Sequence, residues 1–229
     1  MRHRIFGATL SLAAISYFIE PSSKSKIPKE RQSNNSIFTL LGSGIRNVSF
    51  LGISVYVASI YVDGSILSQL KHSNSWSNFT KKQFLEPSEL PNFYARDLCD
   101  RMSGSILLAI QPVRNTNGTH MKIGFLKYLE ERFKVEQDLF SPSELISVRS
   151  SIDSFGKEFP LSVIKSGSML LFEKDNDNLK FLLDGKLVFE IKGKWLASNF
   201  IKGYLENTKP PSPQLRESFG EFVEEFLKQ

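Results

Sequence analysis

Arg46 is the residue whose type and surroundings point most directly to chemistry. It lies in residues 40–63, with the sequence LLGSGIRNVSFLGISVYVASIYVD, which is otherwise mainly apolar and β-branched. A guanidinium group in such surroundings needs an anion, a hydroxyl group or ordered water to offset the loss of hydration. Tyr56 is the nearest candidate partner in the sequence. The alternative is a surface or turn arginine that pairs with Asp63 or Glu173.

His120 is the second candidate. It stands at the beginning of a predicted helix, after the possible N-caps Asn117 and Thr119. Gly124, one turn later, removes bulk beside the imidazole and would leave room for a flat ligand. The alternative is a surface histidine in the first turn of a helix.

Motifs of common enzymes and metal sites are absent from the sequence. It contains no GxSxG elbow, HExxH motif, P-loop or dinucleotide-binding glycine pattern. His3, His72 and His120 do not assemble into a recognisable metal triad. Cys99 is the single cysteine, which excludes an internal disulfide and a cysteine-rich metal site. The DNDN segment at 175–178 lacks the spacing of an EF-hand and predicts a turn.

The predicted strands and helices that must position these residues occur in separate blocks along the chain. Strands come first, then helices, then strands again, and helices end the chain, which predicts an α+β fold with a mainly antiparallel sheet and helices on one face. The predicted strands lie within 40–63, 105–113, 168–174, 179–183 and 186–191, and the predicted helices within 65–71, 91–103, 115–134, 142–155, 195–204 and 212–227. The segment 72–88 is predicted to be a loop whose Trp76 and Phe79 cover an edge of the core.

Composition and charge narrow the class of protein. The chain has 229 residues, of which 41% are hydrophobic, enough for one domain with a large core and a short extension. Of the formal net charge of +5, residues 1–31 carry +4, from six basic and two acidic side chains. The remaining residues are nearly balanced. This distribution predicts no nucleic-acid partner.

The N-terminus has the composition of a targeting segment. Two arginines precede a mainly apolar run at residues 5–19, and residues 1–19 contain no acidic side chain. The run is shorter than the roughly 20 residues that cross a bilayer comfortably. We predict a mitochondrial targeting leader at 1–19, a flexible linker at 20–36 and one domain at 37–229. A further hypothesis is that residues 5–19 associate with the inner membrane and leave the domain in the intermembrane space.

Several segments together resemble a known family. They are GSGIR, GISVYVASIYVD, QPVRNTNGTHMKIGF, SGSMLLFEKDNDNLKFLLDGK and WLASNFIKGYLENTKPPSPQLRESF. In this order and spacing the chain resembles the chalcone isomerase-like family over residues 37–228. Within that family it is most similar to the fungal mitochondrial branch, the altered-inheritance-of-mitochondria proteins with a chalcone isomerase domain. The resemblance implies an open-faced β-sandwich with a ligand cleft between sheet and helices.

The resemblance also implies roles for individual residues. Arg46 corresponds to the cleft arginine of the family, whereas Tyr56, His120, Lys127 and Gly203 stand about where the plant isomerases have their other polar cleft groups. Loss of most of those groups argues against flavonoid cyclisation. The Arg46 and Tyr56 pair matches the one that fatty-acid-binding members use on a carboxylate, and Lys127 is a further expected ligand contact. Because the fungal branch is linked to haem, His120 is a candidate axial ligand of haem b.

Three functions therefore follow from the sequence. The first is a non-catalytic mitochondrial protein that binds a carboxylated hydrophobic molecule, a fatty acid or a haem, through Arg46 and Tyr56. The second is an intramolecular lyase that acts on a chalcone-like substrate, with Arg46 as its catalytic group. The third is a structural or assembly factor at the inner membrane.

Overall fold

The computed structural model describes residues 27–33, 36–48, 53–207 and 209–229. The predicted leader at 1–19 lies outside the described residues, as does most of the linker. Seven strands form one sheet in which every neighbouring pair is antiparallel. In spatial order they are β1 (Glu30–Ser33), β2 (Ser36–Val48), β3 (Ile53–Asp63), β4 (Ser105–Pro112), β7 (Leu170–Asp175), β8 (Asn178–Leu183) and β9 (Lys186–Lys192). Two short strands, β5 (Thr116–Asn117) and β6 (Val163–Ile164), pair separately.

The helices lie between and after the strands. They are α1 (Gly64–His72), α2 (Lys81–Leu85), α3 (Leu90–Arg96), α4 (Gly118–Glu136), α5 (Pro142–Glu158), α6 (Lys194–Lys202) and α7 (Pro213–Leu227). A π-helical turn (Asp97–Arg101) continues α3, and a 3₁₀ turn (Gln137–Leu139) continues α4. The start of α5 is a capping box in which Ser141 and Glu144 bond each other's backbone, as the sequence predicts.

The helices cover one face of the sheet and bury the main core there. Phenylalanines from sheet and helices meet in this core; the ring centroids of Phe172 and Phe181 are 4.5 Å apart, and those of Phe172 and Phe200 are also 4.5 Å apart. A smaller cluster around Tyr61 lies on the opposite face. The prediction of an α+β fold with an antiparallel sheet and one helical layer is confirmed.

Gly42 and Gly44 allow α7 to pack directly on β2. A Cβ atom at either position would collide with the backbone of α7. The helix also satisfies a backbone group of the strand, because Ile45 N donates a hydrogen bond of 3.2 Å to Gln214 Oε1. These glycines therefore hold the segment that carries Arg46 firmly against the helical layer.

Three predicted elements differ from the structure. Residues 30–33, assigned to the flexible linker, form β1 against β2, and Arg31 is buried with its guanidinium carbon 5.1 Å from the centroid of the Tyr61 ring. The predicted loop at 72–88 contains α2, which is too short to have a recognisable period. The helix predicted at 91–103 changes to π-helical geometry after α3. Trp76 and Phe79 are buried as predicted.

Candidate functional site

Arg46 and Tyr56 face each other across β2 and β3. They are direct partners in the antiparallel register, so both side chains leave the same face of the sheet. Arg46 Nη1 donates a long hydrogen bond of 3.5 Å to Tyr56 Oη. The guanidinium carbon lies 5.7 Å from the centroid of the Tyr56 ring. The hairpin thus places a half-buried cation beside a phenol.

The carboxylates of Asp63 and Glu173 do not pair with Arg46. Asp63 caps α1 and accepts a hydrogen bond of 2.7 Å from Ser105 N. Glu173 stands in β7 on the face of the sheet opposite to Tyr56. Within the ranges that the structure describes, Arg46 forms no ion pair. Its charge is therefore available to a ligand.

Tyr204, just after α6, extends this polar group. Its Oη lies 2.8 Å from Tyr56 Oη, and both phenols are buried. Burial raises the pKa of both phenols, although the charge of Arg46 opposes the shift in each. Burial lowers the pKa of Arg46, but the two phenols outweigh this effect and the pKa lies above its ordinary value. At neutral pH the site holds one cation and two neutral hydrogen-bond donors.

The beginning of α4 forms the other side of the site. Asn117 caps the helix by accepting a hydrogen bond of 2.8 Å from Thr119 N. Gly118 is required here because a Cβ would collide with the backbone carbonyl oxygens of Pro160 and Ser162. The positive end of the helix dipole consequently lies at the site, where it favours an anion.

A cavity of about 380 Å³ lies between these elements. Its volume is within the range of small-molecule sites, roughly 300–1,000 Å³. Among the residues that the structure describes, the lining includes two arginines and a histidine but no carboxylate, and most of the remaining surface is apolar or aromatic. The lining residues are Arg46, Val48, Val55, Tyr56, Arg114, Asn115, Thr116, Asn117, His120, Met121, Gly124, Phe125, Tyr128, Phe200, Tyr204 and Pro211.

The structure brings three of the four predicted ligand-binding residues to this cavity and excludes the fourth. Arg46, Tyr56 and His120 line it. The correction concerns Lys127, which does not line the cavity. Its side chain is 75% exposed, and its Nζ atom lies 4.0 Å from Oε1 of Glu131. The positions of α4 that line the cavity recur every fourth residue from His120. Lys127 does not fall in this series, and its side chain therefore lies on the solvent face of the helix.

Tyr128, Arg114 and Tyr204 are among the lining residues that the sequence did not identify as ligand contacts. Tyr128 lies one helical turn after Gly124 and two turns after His120, so the helical period could have identified it. Arg114 lies in a segment that carries the family resemblance. Tyr204 has no signal in the sequence, because its partner Tyr56 is 148 positions away.

A network of ionic and hydrogen bonds fixes Tyr128 in the cavity wall. Its Oη donates a hydrogen bond of 2.9 Å to Asn199 O, and a Cβ on Gly203 would overlap this hydroxyl. Arg132, one turn later, bonds Asn199 Oδ1 at 2.8 Å and both carboxylate oxygens of Glu206. Tyr128 is thereby held by main-chain and side-chain contacts that do not involve a ligand.

The described residues contain neither a metal-binding cluster nor a membrane-spanning helix. Within them, no group of three histidine, cysteine, aspartate or glutamate side chains is placed to hold a metal ion. The donors at the cavity nevertheless suit haem: one exposed imidazole at His120, open space beside Gly124, and two guanidinium groups for two propionates. In the same ranges, no helix has the length and apolarity needed to cross a bilayer.

Comparison with solved structures identifies a protein of the same fold. A fatty-acid binding protein of Arabidopsis thaliana superposes with a TM-score of 0.66. The superposition covers 93% of this chain and 99% of the plant protein, at 19% sequence identity.

Sequence comparison identifies fungal relatives. An uncharacterised protein of Schizosaccharomyces pombe is 28% identical over 200 residues, which cover 83% of this chain and 72% of that protein. The protein named altered inheritance of mitochondria protein 18, mitochondrial, is 28% identical in Vanderwaltozyma polyspora, over 83% of this chain, and 29% identical in Saccharomyces cerevisiae, over 80%. The chain spans 65% and 63% of the length of these two proteins.

The family itself follows from the match to a family model. Residues 36–220 match the model described as chalcone isomerase like. This range extends from the first residue of β2 into α7 and includes every residue that lines the cavity. The chain therefore belongs to the chalcone isomerase-like family.

Proposed function

We propose that the protein is a non-catalytic binding protein for a long-chain fatty acid. The observation that carries the proposal is the charge of Arg46, which has no ion-pair partner among the described residues, at an apolar cavity whose described lining contains no carboxylate. A ligand carboxylate would accept hydrogen bonds from the Arg46 guanidinium and from the Tyr56 or Tyr204 hydroxyl. The alkyl chain would lie against Phe125 and Phe200. The fatty-acid binding protein of the same fold supports this ligand class.

The same residues argue against a lyase. Beyond the arginine, ring closure of a chalcone needs further polar groups placed around the substrate. At the positions where the resemblance predicts such groups, Gly203 has no side chain and Lys127 lies outside the cavity. The remaining constellation of Arg46, Tyr56 and Tyr204 suits binding of a carboxylate better than catalysis.

The binding experiment uses displacement of a fluorescent fatty acid from the full chain. Palmitate should displace the probe, and cetyl alcohol, with the same chain length and no carboxylate, should displace it much less. Arg46→Met should weaken palmitate binding by about 3 kcal/mol, roughly a hundredfold, since a charge-assisted contact is lost. Arg96→Met, at an exposed arginine outside the lining, is the control. Equal displacement by acid and alcohol would refute the proposal.

Haem b is a second candidate ligand, favoured by the position of His120. The imidazole of His120 would be the axial ligand, and Arg46 and Arg114 would pair with the propionates. Bound haem would supply an iron centre for electron transfer or for binding small molecules such as oxygen. Haem titration of the purified chain should give a Soret band that His120→Ala abolishes, whereas His120→Ala should leave palmitate binding unchanged. An unaltered Soret band would exclude this assignment.

We further propose that the protein acts in mitochondria. The support is the set of fungal relatives named as mitochondrial proteins. Association of residues 5–19 with the inner membrane remains a hypothesis about residues outside those described. Alkaline carbonate extraction of isolated mitochondria tests it, and complete release of the uncleaved chain would contradict it.

A further inference from the structure

Exposed apolar side chains surround the mouth of the cavity. Val48 lines the cavity and pairs with Ile53 at the end of the β2–β3 hairpin, and both are more than one third exposed. Val163 is 62% exposed and pairs with Asn117, another lining residue. Leu161 adjoins Gly118 at the beginning of α4, and Ile123 directly precedes the lining residue Gly124. We call the five side chains the rim: Val48, Ile53, Ile123, Leu161 and Val163.

The charges near the rim are mainly positive. The segments that form it, residues 37–62, 102–129 and 159–172, contain no aspartate or glutamate. They do contain Arg114 at the cavity and Lys122 between the lining residue Met121 and the rim residue Ile123. Lys165 is exposed directly after β6. Glu158, exposed and three positions before Leu161, is an acidic neighbour of the rim. The rim is thus an apolar surface whose neighbouring charges are mainly positive.

Another exposed apolar group differs in its charges. Val135, Leu139 and Ile146 are each more than 70% exposed near the far end of α4. Their neighbours in sequence are of both signs, including Glu131, Glu136, Asp138, Arg149 and Lys134. Of these two groups, the rim is the one that has mainly positive neighbouring charges and adjoins the cavity of Arg46.

We propose that the rim docks onto a bilayer surface that contains anionic lipids, and that the ligand enters the cavity from this surface. The inference rests on the proposed function, because a long-chain carboxylate partitions into membranes and reaches a protein from there. Apolar side chains would enter the boundary between head groups and acyl chains, while Lys122, Lys165 and Arg114 would contact the anionic head groups. The cavity would then open directly toward its source of ligand.

Site-specific fluorescent labels on the full chain test which surface meets the bilayer. An environment-sensitive dye is attached to Val163→Cys on the rim or, as a control, to Val135→Cys. Cys99 is buried and its thiol pKa is raised to about 12 by burial, so it should not react with the dye. The two labels are compared with vesicles of phosphatidylcholine, with and without phosphatidylglycerol.

The label at 163 should shift to the blue and brighten severalfold on vesicles that contain phosphatidylglycerol, and the label at 135 should not. The two sites distinguish rim docking from membrane binding elsewhere, such as through residues 5–19, which all variants share. An equal response of both labels would overturn the proposal. A response at 163 that is the same without phosphatidylglycerol, or no response there, would also overturn it.

Charge reversal separates this inference from the proposed function. Lys122→Glu with Lys165→Glu should slow transfer of a fluorescent fatty acid from phosphatidylglycerol vesicles at least tenfold, since each cation at an anionic surface is worth about fivefold in binding. Lys186→Glu with Lys192→Glu makes the same change in net charge on the distant strand β9 and should not slow transfer. Equal slowing by both pairs would overturn the proposal.

Binding measured without vesicles gives an independent result. The rim pair should leave the solution affinity for palmitate within about twofold, because neither lysine lines the cavity. If the unaltered chain does not bind palmitate in solution, the proposed function fails, while the label at 163 still reports on docking. If it binds palmitate and the label is silent, only the docking surface is refuted.

Discussion

Arg46 and Arg132 lie over tyrosine rings in the same geometry but in opposite electrostatic surroundings. Each guanidinium carbon is 5.7 Å from the ring centroid, of Tyr56 for Arg46 and of Tyr128 for Arg132. Arg132 is saturated by Glu206, Glu136 and the amide oxygen of Asn199. In the part of the chain that the structure describes, Arg46 has a phenol as its hydrogen-bond partner and no carboxylate.

The difference distinguishes a structural arginine from one that can bind a ligand. A buried charge that has all its partners contributes to the folded state, and removing it leaves those partners uncompensated. A partly buried charge without a counterion is a cost to folding that a bound anion can offset. Arg132 holds Tyr128 in the cavity wall, and Arg46 supplies the charge inside it.

The largest effect is expected at Arg132. Arg132→Met should lower the free energy of unfolding by about 3 kcal/mol, because Glu206 would be left as an unpaired carboxylate whose side chain is 11% exposed. Urea denaturation measures the change. The control is Arg149→Met, since Arg149 and its partner Glu130 are more exposed, and it should cost less than about 1 kcal/mol. Equal losses in the two variants would contradict the contrast drawn above.

Arg46→Met, in contrast to Arg132→Met, should have only a small effect on the free energy of unfolding. Its free energy of unfolding should stay within about 1 kcal/mol of the unaltered chain, because no carboxylate in the described part of the chain loses a partner. The same urea titration, without ligand, gives the value. With saturating palmitate, the unaltered chain should gain stability and the variant should gain much less. A loss comparable to that of Arg132→Met would make Arg46 a structural residue.

A smaller effect is expected at Tyr204. Tyr204→Phe removes the hydroxyl that contacts Tyr56 Oη and should weaken palmitate binding about fivefold, equivalent to about 1 kcal/mol. Tyr94→Phe, in a buried ring outside the cavity lining, should not change the affinity. Displacement titrations compare the two. Unchanged affinity in Tyr204→Phe would restrict the ligand contact to Arg46 and Tyr56.

The smallest effect concerns pH. The pKa values of Tyr56, Tyr204 and Arg46 all lie above their ordinary values, so each of these groups keeps its proton as the pH rises from about 6 to about 9. Palmitate affinity should therefore vary by less than about twofold in this range. It should fall below about pH 5, where a carboxyl group gains its proton. A rise in affinity between pH 8 and pH 6 would contradict this prediction.

Patterns among residues close in the sequence predicted much of the fold and part of the site. The sequence placed the glycine-flanked Arg46 and the candidate partner Tyr56 in neighbouring strands. A register shift between Arg46 and Asn47 then brings Tyr56 directly opposite Arg46, and this shift has no signal in the sequence. The helical period also placed His120 and Gly124 on one face. Lys127 was assigned by counting along a resemblance, which does not resolve a shift of one residue, and one position on a helix turns a side chain by about 100°.

Contacts between distant segments could not be predicted in this way. β1 was assigned to the linker because ERQS has no strand pattern, and it is held by pairing with β2 and by the contact of Arg31 with Tyr61. The role of Gly44 was equally hidden. A strand glycine usually indicates a turn or bulge, whereas here the close approach of α7, about 170 positions later, requires it.

The sequence by itself determined the segregated order of strands and helices, the caps of the long helices and the place of Arg46 and Tyr56 in neighbouring strands, because these depend on period and on neighbours close in the chain. Only the tertiary structure decided that Tyr204, Tyr128 and Arg114 meet this pair, that no carboxylate of the described residues joins it, and that apolar side chains surround the cavity mouth. Those features arise where segments more than fifty positions apart come together, and residue types in a single chain do not record such distances.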